Sequence, residues 1–100
     1  MRYAWEATKL PVYVTEHGVN TDDDALRQWL IPAALTELKR AIDDGVPVRG
    51  YMHWSLIDNF EWGFGYAHRF GLHSVDPVTF VRTAKPSAAV LGAIAQRNAL

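Results

Sequence analysis

The chain has 100 residues, 49% of them hydrophobic, with 10 basic against 11 acidic side chains, a formal charge of -1 and no cysteine. This composition excludes a disordered segment, a collagen-like repeat and a disulfide-stapled mini-domain. It offers no basic stripe for nucleic acid and no apolar run near the roughly 18 residues of a membrane helix, so a neutral or mixed ligand is expected.

In chain order, residues 2 to 8 read as the tail of a helix with no capping residue ahead of it. Leu10-Pro11 ends it, and Val12-Tyr13-Val14-Thr15 follows as a β-branched run without polar alternation, the pattern of a parallel strand covered on both faces. This run gives way to a loop at Glu16-His17-Gly18. Asn20-Thr21-Asp22-Asp23-Asp24 suits a helix N-terminus, where carboxylates meet free N–H groups and the positive end of the dipole. Leu26, Leu30, Ala33 or Ala34, Leu38 and Ile42 then recur at helical spacing as far as a stop at Gly45. Pro32 predicts a kink in that helix or its division into two. A second strand is expected from Val46 to about Leu56. Residues 57 to 69, with glycines at 63 and 65, read as a long loop, and loops of that length are usually functional. Phe70 to Val75 and Thr79 to Thr83, joined through Asp76-Pro77, predict a hairpin, and a last helix is expected from about Ser87, as its cap, to Arg97.

Strand, helix and strand in this order imply an α/β chain with a right-handed parallel βαβ unit. Two parallel strands leave two open edges and need more sheet beside them. The expected architecture is therefore incomplete by itself. The N-terminus lacks the basic and apolar regions of a signal peptide, and with no cysteine the expected compartment is the cytoplasm.

Ligands of parallel α/β sheets sit beyond the carboxyl ends of the strands, so Glu16 is placed for catalysis, although a turn or capping carboxylate fits the same position. The second candidate is Trp54-Ser55-Leu56-Ile57-Asp58-Asn59-Phe60-Glu61-Trp62. Seven of the 12 aromatic residues fall between Tyr51 and Phe70, more than one strand needs for packing. Flat apolar sugar faces stack on indoles while their hydroxyls need carboxylate or amide partners, and the interleaved Asp58, Asn59 and Glu61 favour a binding site over a plain core. Glu16 and Glu61 together invite a two-carboxylate glycosidase reading. The histidines His17, His53, His68 and His73 show no metal-ligand spacing, and neither a phosphate loop nor a nucleophile elbow is present, so no metal or cofactor is expected.

Val14-Thr15-Glu16-His17-Gly18 resembles the T-E-N-G motif of glycoside hydrolase family 1, the β-glucosidases and related enzymes. The stretch from Val48 to Trp62 resembles that family's W-S-L-x-D-N-F-E-W signature and its lead-in strand, and Arg69-Phe70-Gly71-Leu72, Val75-Asp76 and Arg82 to Ser87 also match. The resemblance implies retaining hydrolysis of β-glycosides on a (β/α)8 TIM barrel, of which residues 1–100 form the C-terminal segment, from the end of helix 6 through helix 8. It assigns Glu16 as nucleophile, with Trp54, Glu61, Trp62 and Phe70 in the sugar subsite. Glu61 then orients substrate, and the acid/base belongs to an N-E-P motif that this sequence lacks. His17 stands where the motif has asparagine. The expected ligand is a β-glycoside or small neutral sugar, and the expected protein partner is the N-terminal part of the barrel or a second copy. The competing readings are a non-catalytic sugar-binding segment and a barrel fragment that self-associates through its edges.

Overall fold

The β-branched run and the helical stripe fold as their periodicities dictate. The computed structural model describes all 100 residues. Helix α1 (Arg2–Thr8) leads into strand β1 (Val12–His17), helix α2 (Asp24–Asp43) and strand β2 (Val48–His53). Strands β3 (His73–Val75) and β4 (Arg82–Ala84) form the hairpin, and helix α3 (Pro86–Arg97) closes the order. β1 and β2 pair in parallel, and β3 and β4 pair antiparallel. This is the expected βαβ unit with its hairpin, and no barrel is closed.

Three local expectations change. Pro32 does not divide α2, which runs unbroken for 20 residues. The proline forfeits one N–H bond, but α2 also packs along α3, so tertiary contact carries the helix through. Ser87 is not the cap of α3. Lys85 holds that place with Pro86 behind it, and Ser87 is fully buried with its hydroxyl donating to Asp24 Oδ1 at 2.6 Å. The buried stripe of α2 is Arg27, Ile31 and Ala41, whereas Leu26 and Ile42 stay over 40% exposed. The apolar pattern misses the start of this face because the residue at its N-terminal end is an arginine.

The segment from Trp54 to Leu72 leaves the sheet and returns to it. Its ends are stitched by Ser55 N–H to the Phe70 carbonyl (3.1 Å), Leu72 N–H to the Ser55 carbonyl (2.9 Å) and His73 N–H to the Leu56 carbonyl (3.0 Å). The loop contains a single 3-10 turn, Trp62–Phe64.

Only eight of the 100 residues are buried, and the molecule is a plate of 47 × 31 × 19 Å. Its radius of gyration of 15.1 Å exceeds the ~13 Å of a compact domain of this length. Its surface of 6817 Å² exceeds by about 1,100 Å² the value expected for a compact protein of its mass. One face of the sheet is covered by helices. The other face is bare.

Candidate functional site

β1 carries Glu16 at its carboxyl end, and the strand is irregular there. Val14 pairs with Tyr51, but His17 pairs with His53, so three steps along β1 match two along β2. The extra residue is a bulge around Thr15 and Glu16. Val14 and His17 both line a cleft with Ala34, Leu38 and Ala41 of α2, which fixes their side as the covered one. Thr15 and Glu16 are exposed. Further back, Tyr13 faces Gly50, where a β-carbon would come within 3.0 Å of the tyrosine ring. Glycine at 50 therefore leaves the bare face room for Tyr13.

The strand end of Glu16 is joined directly to the second candidate. Trp54 N–H donates to the His17 carbonyl at 2.9 Å, and a β-carbon at Gly18 would overlap the Trp54 carbonyl oxygen. Only glycine permits that approach. Trp54 and Ser55 are linked by a cis peptide. The Trp54 indole N–H then donates to Glu61 Oε1 at 3.1 Å. Phe70 is held beside this pair through its carbonyl, and its ring meets His68 edge-on, which in turn stacks on Phe64 at 4.3 Å. Trp62 follows Glu61 with φ of 44° and stands 86% exposed. The structure thus brings Trp54 and Glu61 together next to the strand end of Glu16 and ties the Phe70 backbone to the adjoining Ser55. It leaves Trp62 projecting into solvent at the rim.

Asp58 and Asn59 do other work. Asp58 is buried, accepts from Lys85 Nζ at 2.9 and 3.0 Å and takes the Gly71 N–H at 2.8 Å. Asn59 donates to Ser55 Oγ and to the Ile57 carbonyl, both at 3.2 Å. These two polar residues, which the sequence pattern credits to binding, are taken up instead, Asp58 in holding the loop to the start of α3 and Asn59 in bracing the loop internally. A second buried lock lies under the other loop. Arg27 donates to Asp24 Oδ1 at 2.6 Å and to the Thr21 and Arg69 carbonyls at 3.0 and 2.6 Å. Asp24 also takes the Ser87 N–H at 2.8 Å. Burial pushes the Asp24 carboxyl up, but the bonds from Ser87 and Arg27 outweigh it and hold the group below its ordinary value.

The sequence reading missed this Arg27 lock and also the buried histidine. Neither ring nitrogen of His53 has a hydrogen-bond partner. Burial pushes its pKa down and outweighs the upward pull of the Phe70 backbone, and the charges of Arg27 and His17 add smaller pushes downward. The same covered side holds Tyr51, whose phenol burial pushes up. The one available signal for these residues was alternation along β2, which places 51 and 53 on one face.

Two clefts, of about 520 and 510 Å³, lie on the helical side, the first between α2 and α3 and the second between α1, β1 and α2. Neither is lined by Glu16, Trp54, Glu61, Trp62 or Phe70. The candidate site is an open surface outside both clefts, able to stack a flat apolar ring and to accept hydrogen bonds from hydroxyls.

The sequence model of Glycosyl hydrolase family 1 matches residues 1–100. The chain belongs to this family. It is 42% identical over 96 residues to a β-galactosidase of Sulfolobus acidocaldarius, a stretch that is 96% of this chain and 20% of that protein. Among solved structures, the apo form of β-glucosidase 1317 superposes with a TM-score of 0.96 at 47% identity, over 99% of this chain and 25% of that one. A β-glucosidase from Thermotoga maritima in complex with glucoimidazole gives 0.94 at 36% identity, again over 99% and 25%. The family 1 chain therefore spans about a fifth to a quarter of the length of the relatives it matches. Its two parallel strands are part of a (β/α)8 barrel that these residues do not close.

Proposed function

We propose that this family 1 chain supplies the nucleophile and part of the sugar subsite for retaining hydrolysis of β-glycosides, as the segment from the end of the sixth barrel helix through the eighth. The observation that carries the reading is the 3.1 Å bond from Trp54 to Glu61, in a loop whose first residue is itself bonded to the strand end of Glu16. A hydrogen-bonded indole and carboxylate offer a sugar one stacking face and one oriented acceptor.

In this reading Glu16 attacks the anomeric carbon as the glycosidic bond breaks, forming a glycosyl ester that water then hydrolyses with retention. Glu61 and Trp62 hold the hydroxyls of the non-reducing sugar, Trp54 forms one wall, and Phe70 lines the same pocket. Protonation of the leaving oxygen needs a second carboxylic acid about 5 Å from the nucleophile. Glu6 and Glu37 sit on α1 and α2, away from the bare face, so the acid comes from outside these 100 residues. Without it a rate loss of about 10² to 10⁴ is expected, and an open site adds to that.

The test is hydrolysis of a chromogenic β-glucoside by two proteins: the chain as it is, and a graft in which it replaces the corresponding quarter of the related β-glucosidase. The expected result is turnover by the graft, none by the graft carrying Glu16→Gln, and none above buffer by the chain alone. Turnover by the Glu16→Gln graft overturns the assignment. A second reading, sugar binding without hydrolysis, is favoured by the exposed Trp62 beside the bonded Trp54–Glu61 pair. It predicts quenching of tryptophan fluorescence in the chain alone when glucose is added, and an unchanged spectrum speaks against it.

A further inference from the structure

The bulge at the end of β1 decides which way Glu16 points. In an unbroken strand, side chains two apart share a face, so Glu16 shares the side of Val14, against α2. One extra residue reverses this and lets His17 return to the covered side three positions after Val14. What holds His17 there is specific. Its Nδ1 lies 3.0 Å from the Tyr51 hydroxyl, and the two rings are 5.7 Å apart. Tyr51 is the strand partner of Val14, so this bond spans the bulge diagonally. With the His17 carbonyl held by Trp54 N–H, both ends of the residue after Glu16 are fixed to β2 and its continuation.

We propose that His17, anchored through the Tyr51 hydroxyl, is a positioning residue that pegs the bulge and so aims the Glu16 carboxylate away from α2. The inference rests on the reading of Glu16 as nucleophile. It adds that the residue standing where the family motif has asparagine acts from behind the sheet, with a tyrosine of the neighbouring strand as its partner. Neither side chain touches the substrate. Displacing reacting atoms by about 1 Å can cost about 10²-fold, so loss of this peg is read in the chemical step rather than in binding.

The experiment uses the graft with Tyr51→Phe, which removes only the hydroxyl, with His17→Phe, which keeps a ring, and with both. A fluorinated glucoside that arrests the reaction at the glycosyl ester reports the rate of labelling of Glu16 by mass spectrometry. Each single variant is expected to lower kcat and the labelling rate about tenfold with KM changed less than about twofold, and the double variant to be no worse than either. Leu38→Ala, in the same cleft, lowers the melting temperature and leaves kcat unchanged, which separates positioning from loosened packing. Additive losses, a KM effect alone, or full-rate labelling in Tyr51→Phe overturns the peg. Absence of any Glu16 ester in the unsubstituted graft overturns the nucleophile reading instead.

Discussion

The two faces of the β1–β2 sheet differ in how their polar groups are used. On the covered face and beneath the loops, Asp24, Arg27, Asp58, Lys85 and Ser87 are bonded to one another or to backbone, and the loops that leave the sheet are tied to α2 and α3. On the bare face Glu16 is exposed, and in the loop beyond β2 the Trp54–Glu61 pair is open to solvent and Trp62 is almost free of contact. On the proposed reading, the contrast separates stability from chemistry across one layer of sheet. Polar residues behind it are bonded within the protein, and Glu16 in front of it is left exposed.

The separation is broken most directly by exchanging the expected effects. In the graft, Glu16→Gln is expected to lower kcat/KM by at least about a thousandfold while leaving the urea midpoint unchanged. Arg27→Ala does the reverse. It empties the fully buried Arg27 site and leaves half-buried Asp24 without its ionic partner, and is expected to cost about 3 kcal/mol in urea unfolding of the graft, with kcat little affected per folded molecule. Trp54→Phe keeps a stacking face but loses the bond to Glu61. An increase in KM of about tenfold is expected, with a stability change within about 0.5 kcal/mol because the pair is exposed.

A smaller effect sharpens the comparison through pH. Burial of its ring holds the folded pKa of His53 below the ordinary value near 6.5. A depressed value means the unfolded chain binds the proton first. Stability is complete above about pH 6.5 and falls as the pH drops toward the folded value. Urea midpoints at about pH 7.5 and about pH 5.5 are expected to differ, and His53→Phe is expected to reduce the difference. Asp24 adds a separate loss at lower pH. Its depressed pKa gives stability that is present above the ordinary carboxylate value and lost as pH falls through the folded one. Lys39→Ala, at an exposed pair on α2, is expected to change stability by less than about 0.5 kcal/mol.

The same division governs what was legible in the amino-acid sequence. Strands, helices and hairpin followed from β-branched runs, helical spacing and the Asp76-Pro77 turn, because these are local signals. Asp76 indeed accepts from the Val78 and Thr79 N–H groups. The motif residues of the bare face were legible for the same reason, since the family motifs keep Glu16 and the residues from Trp54 to Trp62 in fixed local order. The locks were not. Arg27 reads as a surface charge on a helix, and only the approach of residue 69, with residue 87 bonded to its partner Asp24, makes it one of the two fully buried residues of α2. Asp58 and Asn59 look like ligand contacts until Lys85 and Ser55 are seen to occupy them. Pro32 does not divide α2, where packing along α3 adds a contact that local spacing does not show.

The central claim is that Glu16 is the nucleophile, aimed from the bare face of a sheet whose other face fixes it. The measurement that tests it most directly is mass spectrometry of the graft after reaction with the ester-trapping fluorinated glucoside. The account predicts one glycosyl adduct, on the peptide containing Glu16, and none in Glu16→Gln. An adduct on another carboxylate, Glu61 included, or a fully active graft that yields the adduct nowhere on these 100 residues, contradicts it.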